Sequence, residues 1–158
     1  MSLPFDDSRI KELRTIHSRH SWLPFTQMKL APEPLLVEEA SGIWLTLSGG
    51  RRVMDGVGSW WVNTYGHCNA TINRALADQA STLEHVIYAN FVHEPGLRLA
   101  QALSERTSHH LPRVYYSDNG STAMEIALKM AYQFFRNRGE VRDRIVCLAN
   151  GYHGDTFG

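Results

Sequence analysis

The sequence predicts an α/β protein built on a mostly parallel sheet with helices on both faces, and three observations predict it. Two short apolar runs, Arg113-Val-Tyr-Tyr-Ser117 and Arg144-Ile-Val-Cys-Leu-Ala149, have the length and the β-branched or aromatic content of buried strands. Between them Ala123, Ala127, Met130 and Phe134 recur on one face of a long helix. Strand, helix and strand in that order make a βαβ unit, which crosses over right-handed and implies parallel neighbours. A parallel sheet needs more strands than one such unit supplies and needs cover on both faces. Further strands are therefore expected beyond Gly158.

Along the chain, residues 1–20 are polar and helix-compatible at best, and Trp22-Leu-Pro-Phe25 interrupts them. Ala31-Pro-Glu-Pro34 reads as rigid and extended, because proline pushes the residue before it away from helix. Ile43–Leu47 and Arg52–Asp55 flank Ser48-Gly-Gly-Arg51, a β-hairpin signal in which glycine supplies positive φ. Gly56-Val-Gly-Ser59 then forms a loop leading into the pair Trp60-Trp61. From Thr71, the spacing of Ile72, Ala75, Leu76, Leu83 and Val86 predicts a helix, with Gln79 the one polar lapse. A second helix is expected to begin at Pro95, suited to a first turn, and to bury Leu99 and Leu103. Asp118-Asn-Gly-Ser121 is a sharp turn, Thr122 and Glu125 fit a capping box at the start of the long helix, and Gly139 is its natural stop. The organisation expected is an N-terminal segment over 1–70 and the start of a larger α/β domain over 71–158.

Composition narrows the function classes. Sixteen basic residues balance sixteen acidic ones, so no whole-chain field draws the protein to nucleic acid or an anionic membrane. The N-terminus has no basic start followed by an apolar stretch, and no window approaches the apolar run needed to span a bilayer. Cys68 and Cys147 each lie in or beside an apolar run, where a small buried thiol is the ordinary reading. Two distant thiols give no disulfide framework, and a cytoplasmic location is the simplest expectation. His67 and Cys68 lack further ligands at zinc-like spacing, so no metal site is expected. His109-His110 reads as a solvated loop end, and no nucleophile-elbow context is present.

Three stretches could carry chemistry. Gly120 and Ser121 stand where a strand hands over to a helix, at the edge of the sheet where α/β proteins bind ligands. Free amides of the first helical turn and the Ser121 hydroxyl suit a phosphate; the plain alternative is an ordinary capped turn. Neither a dinucleotide nor a P-loop glycine pattern occurs. Asn150-Gly-Tyr-His-Gly-Asp155 follows the next expected strand and should reach the same edge. There Tyr152 could stack on a flat heterocycle and His153 could hydrogen-bond beside it; the alternative is a glycine-rich surface loop. Trp60 and Trp61 could wall an apolar substrate channel, although paired tryptophans are more often core, and their glycine-rich approach favours a loop.

These pieces, in this order, resemble the class-III aminotransferases of the pyridoxal-phosphate (PLP) fold type I. Asp118–Ala131 looks like their phosphate-loop helix, and Asn150–Gly158 like their cofactor-stacking loop. The resemblance runs from about Ser18 to Gly158, and the combination of Ser59-Trp-Trp61 with Gly151-Tyr-His-Gly-Asp-Thr-Phe-Gly158 is the specific part. Within the class, Trp22–Met28 and Asp55–Trp61 are similar to the branch that transfers the amino group of S-adenosylmethionine to 8-amino-7-oxononanoate in biotin biosynthesis. The resemblance implies that Gly120 and Ser121 hold the PLP phosphate. It implies that Tyr152 covers the pyridine ring and touches substrate, with His153 beside it. It also implies that Phe25, Trp60 and Trp61 line the channel for the apolar substrate chain. Phe25 departs from the tyrosine common there, which keeps the ring and removes a hydroxyl, and His67-Cys-Asn-Ala70 departs from the usual pattern without an assigned consequence. A homodimer is implied as well. The lysines here, Lys11, Lys29 and Lys129, do not match the Schiff-base lysine of the family, which the resemblance expects beyond Gly158. These residues by themselves are expected not to catalyse transamination. Two other readings stay open: a class-III ω-aminotransferase with another amine donor, and a noncatalytic PLP- or phosphate-binding remnant.

Overall fold

A computed structural model of the chain describes residues 5–156. Met1–Pro4 and the Phe157-Gly158 end of the second loop motif lie outside the described residues. Two compact units follow one another, Met1–His85 and Val86–Gly158.

The first unit opens on helix α1, Asp7–His20, a firmer element than its polar sequence suggests. Asp6 caps it by accepting from the Arg9 amide at 2.8 Å, Asp7 sits in the first turn, and basic residues fill the last, all of which suit the helix dipole. The expected hairpin is present as β2, Trp44–Leu47, and β3, Arg52–Met54, paired antiparallel with Leu45 opposite Val53. Gly49 and Gly50, at φ +81° and +79°, make the turn between them. A third strand, β1, Val37–Ser41, pairs antiparallel with β2 and was not anticipated, because Glu38-Glu39 interrupts any apolar pattern. Among the described residues Leu47 is the only buried hydrophobic side chain. Helix α3, Ala70–Thr82, completes the unit. Asn69 caps it by accepting from the Thr71 and Ile72 amides at 3.0 and 3.2 Å.

In the second unit, helix α4, Glu94–Arg106, carries its proline in the first turn as expected. Its inward face differs from the prediction. Leu99 and Leu103 point outward, and the half-buried or buried positions are His93, Gly96, Ala100, Ser104 and Thr107. Small residues let neighbours approach: Tyr116 donates its hydroxyl to the Gly96 carbonyl at 2.6 Å, and Ser104 lies 3.2 Å from His109 Nδ1. Helix α5, Gly120–Asn137, ends in a Schellman arrangement. Glu140 and Gly139 donate to the Phe135 and Arg136 carbonyls at 3.0 Å each, with Gly139 at φ +78°. The predicted face of α5, Ala123, Ala127, Met130 and Phe134, is exposed.

The two expected strands, 113–117 and 144–149, run without secondary-structure pairing and do not pair with each other. The first keeps a strand-like alternation, Val114 and Tyr116 half-buried against exposed neighbours, while Ile145, Val146 and Leu148 are all exposed. A strand is completed by its ladder partners and by layers on its faces. Neither is supplied to these segments among the described residues, so the βαβ pattern of the sequence does not close into a parallel sheet here. The expectation for the thiols is corrected as well: Cys68 and Cys147 are both exposed and free. No helix among the described residues is long and apolar enough to cross a membrane.

Candidate functional site

The turn before α5 is built by Asn119. Its side chain accepts from the Thr122 amide at 3.0 Å while the Thr122 hydroxyl accepts from the Asn119 amide at 3.2 Å. The capping box is therefore Asn119/Thr122, one turn earlier than the predicted Thr122/Glu125. A capping box uses the Thr122 amide and leaves the two amides before it free. Among the described residues neither the Gly120 nor the Ser121 amide has an acceptor. A Cβ built on Gly120 would meet nothing within 4 Å, so the space over this first turn is open. Two free amides with open space over Gly120, at the positive end of an 18-residue helix, are groups that can bind an anion such as phosphate.

The loop that follows residue 149 comes back to this turn. The Asp155 amide donates to Ser121 Oγ at 2.9 Å, and Thr156 Oγ1 donates to Glu125 Oε2 at 2.7 Å. Gly154 makes that approach possible. Its φ is +127°, and a Cβ there would lie 2.9 Å from Ser121 Cα and 3.2 Å from Ser121 Oγ. Tyr152 projects its ring into solvent, 75% exposed, with its hydroxyl 3.4 Å from Asp155 Oδ2. A phenol open on its faces can stack on a flat heterocycle. His153 folds back over its own loop: a Cβ on Gly151 would meet His153 Nε2 at 2.8 Å. Glu125, absent from the sequence reading of this loop, also takes Lys129 Nζ at 3.6 Å.

In the first unit Phe25 and Trp60 come together with ring centroids 5.8 Å apart and planes tilted by 39°. Both are largely exposed, as is Trp61. The backbone beneath them is unusual. Gly58, Ser59, Trp60 and Trp61 have φ of +58°, +47°, +63° and +68°, one left-handed turn, α2, Gly58–Trp61. Three of these residues carry a Cβ, and the left-handed conformation costs each about 1–2 kcal/mol. Phe25 also sits at φ +53°.

What holds the turn is the carboxylate of Asp55, to which the sequence alone assigns no role. Asp55 Oδ2 accepts from the Ser59 hydroxyl at 2.7 Å and lies 2.7 Å from His67 Nε2. The Asp55 side chain is only 6% exposed, so these bonds act away from bulk water. The Ser59 hydroxyl, the Ser59 amide and the His67 ring together hold the Asp55 carboxyl down at about 2, against an ordinary 3.8, although burial acts the other way. His67 is fixed in turn by a two-bond bridge to Gly42, at 2.7 and 3.1 Å. Gly66 permits this approach, since a Cβ there would come within 3.1 Å of Gly42 Cα. An Asp four residues before a Ser in a glycine-rich stretch is a legible turn signal. The reach to His67 is a tertiary contact with no local signature. Among the described residues no group of three His, Cys, Asp or Glu side chains could hold a metal ion.

A family model described as aminotransferase class-III matches residues 26–158 of the chain. An adenosylmethionine-8-amino-7-oxononanoate aminotransferase of Synechococcus elongatus is 52% identical over 139 residues, 88% of this chain and 33% of that protein. The Geobacter sulfurreducens protein of the same name is 42% identical over 155 residues, 96% of this chain and 34% of that protein. The chain thus spans about a third of the length of the curated relatives it matches. The solved structure named adenosylmethionine-8-amino-7-oxononanoate aminotransferase from Methanocaldococcus jannaschii superimposes with a TM-score of 0.89 at 36% identity, covering 94% of this chain and 35% of that one. A PLP-bound amine transaminase from an uncultivated Pseudomonas species gives 0.78 at 34% identity, covering 86% and 32%. The α/β fold expected from the sequence is the fold of these structures.

Proposed function

Because the chain belongs to the class-III aminotransferase family, we propose that it forms part of a 7,8-diaminopelargonate synthase of biotin biosynthesis. The reaction is transfer of the amino group of S-adenosylmethionine, through PLP, to 8-amino-7-oxononanoate, giving 7,8-diaminononanoate. The observation that carries this reading is the hydrogen bond from the Asp155 amide to Ser121 Oγ, which sets the Tyr152 loop beside the phosphate-competent turn.

When bound, PLP supplies the electron sink for moving an amino group. The chain's own residues would orient and shelter it. The Gly120 and Ser121 amides and the Ser121 O–H would donate to the phosphate, and the Tyr152 ring would cover one face of the heterocycle and keep water from it. His153 would hydrogen-bond at the rim of the same loop. Phe25, Trp60 and Trp61 would give the apolar chain of the oxononanoate a surface that water leaves readily. The base that moves the proton would be a lysine other than Lys11, Lys29 and Lys129. Lys129 is engaged with Glu125 on the exposed side of α5, and Lys11 and Lys29 belong to the first unit. A cytoplasmic homodimer completes the reading.

Amino transfer to 8-amino-7-oxononanoate tests it, with S-adenosylmethionine and simple amines compared as donors in the full-length protein. Product formed with S-adenosylmethionine alone supports the synthase. Product formed only from simple amines favours a different ω-aminotransferase, a reading to which Phe25 lends weight because its ring offers no hydroxyl to a polar donor. Borohydride reduction of the 158-residue chain with PLP should label no single lysine, and specific labelling with turnover would remove the assignment of the base.

A further inference from the structure

We propose that Asp55 is the positioning residue of the aromatic surface: it locks the left-handed turn Gly58–Trp61 so that Trp60 meets Phe25, and thereby tunes the protein toward acceptors with an extended apolar chain. The second half of this statement rests on the reading that Phe25, Trp60 and Trp61 contact substrate; the first half does not.

A run of four positive φ values that includes two tryptophans is not a conformation the chain adopts by preference. Strained backbone persists where surrounding bonds over-determine it. The bonds are identifiable here. Trp61 and Asn63 donate to the Val57 and Gly58 carbonyls at 2.9 Å each, which closes the turn on itself but does not orient it. Orientation comes from Asp55. One carboxylate oxygen takes the Ser59 hydroxyl from within the turn and faces the His67 ring from outside it, each at 2.7 Å. Because His67 is tied to Gly42 beside strand β2, the carboxylate links the turn to the sheet of the same unit. The product of this arrangement is the 5.8 Å Phe25–Trp60 pair, both of whose rings remain open to solvent. A turn held at this cost fixes where the Trp60 indole stands against Phe25, which is what a recognition surface needs. Without the clamp, Ser59 and Trp60 relax toward negative φ, and the indole swings away from Phe25.

The experiment uses the full-length, PLP-loaded protein, with Asp55→Ala, Asp55→Asn and Ser59→Ala. The first measurement is the near-ultraviolet circular dichroism that Trp60 contributes, defined as wild type minus Trp60→Phe. Asp55→Ala should abolish that band, and Asp55→Asn, which keeps an acceptor for Ser59, should rescue part of it. An unchanged band in Asp55→Ala overturns the positioning role. The second measurement is steady-state kinetics with a long-chain amino-oxo acid and with pyruvate as acceptors. Asp55→Ala should raise KM for the long acceptor about tenfold and leave kcat/KM for pyruvate within about twofold. Equal losses for both acceptors would overturn the specificity role. If Asp55→Ala does not fold, Ser59→Ala is read by the same two criteria, with smaller effects of the same sign. A wild-type protein with no preference for the long acceptor refutes the substrate reading alone, because the dichroism band is scored without any substrate.

Discussion

The backbone amide of Asp155 donates to the hydroxyl of Ser121 at 2.9 Å, joining loops that lie 34 residues apart in sequence. A second bond, from Thr156 to Glu125 at 2.7 Å, repeats the connection one turn along α5. The two glycine-rich motifs of the second unit are thus one local assembly, and substitutions at their seam separate ligand effects from general stability.

Gly154→Ala should detach the loop. Its Cβ would lie 2.9 Å from Ser121 Cα in a backbone at φ +127°, so both sterics and conformation oppose it. A loss of roughly 1–3 kcal/mol is expected, together with weaker PLP binding. Gly139→Ala is the comparison: nothing lies within 4 Å of its Cβ, and only its φ of +78° is unfavourable. It should lower Tm while leaving the PLP Kd unchanged, as measured by thermal melts and by PLP titration.

Asp55 should give the first unit an acid-sensitive step. Its carboxyl is held at about 2 in the folded protein against 3.8 ordinarily, so its stabilising bonds are complete above pH 4 and disappear as pH falls through about 2. The groups facing it are the Ser59 hydroxyl and amide and the His67 ring. Tryptophan fluorescence titrated from pH 5 to pH 1.5 should show this step, and Asp55→Asn should remove it.

Packing on α4 predicts a different signature. A Cβ at Gly96 would meet His93 Cε1 at 3.0 Å and the Tyr88 hydroxyl at 3.1 Å, so Gly96→Ala should cost about 1–3 kcal/mol through overpacking. Tyr116→Phe removes only the 2.6 Å bond to the Gly96 carbonyl and should cost about 1–2 kcal/mol. Because both changes act at Gly96, through different neighbours that pack together, urea denaturation of the double variant should show losses that do not simply add.

Phe25→Tyr should change chemistry more than stability. The ring is 81% exposed, and an added hydroxyl meets solvent, so the folding free energy should move by less than about 0.5 kcal/mol. Donor choice is the informative readout: the variant should gain kcat/KM with S-adenosylmethionine relative to simple amines.

What the sequence made legible was mostly local. The hairpin around Gly49-Gly50, the proline in the first turn of α4, the stop at Gly139 and the glycine-rich loops are each written in residues within a few positions of the feature. The misreadings share a physical origin in contacts between distant residues. Apolar runs at 113–117 and 144–149 have strand character, but a ladder needs a partner the run does not specify. Hydrophobicity points Leu99 and Leu103 inward, whereas Tyr116 and His109 contact the small face of α4. Strand β1 was hidden by its paired glutamates, and Asp55 by the 12 residues separating it from His67. In the candidate site, Gly120, Ser121 and Tyr152 could be named from motif and position, while the residues that fix their loops, Asn119, Glu125 and Gly154, emerge only from the folded geometry.

The most direct test is a crystal structure of the PLP-loaded protein. The phosphate should lie within about 3 Å of the Gly120 and Ser121 amides, with the Tyr152 ring parallel to the pyridine face. A phosphate bound away from the first turn of α5, or a heterocycle that Tyr152 does not touch, would contradict the assignment.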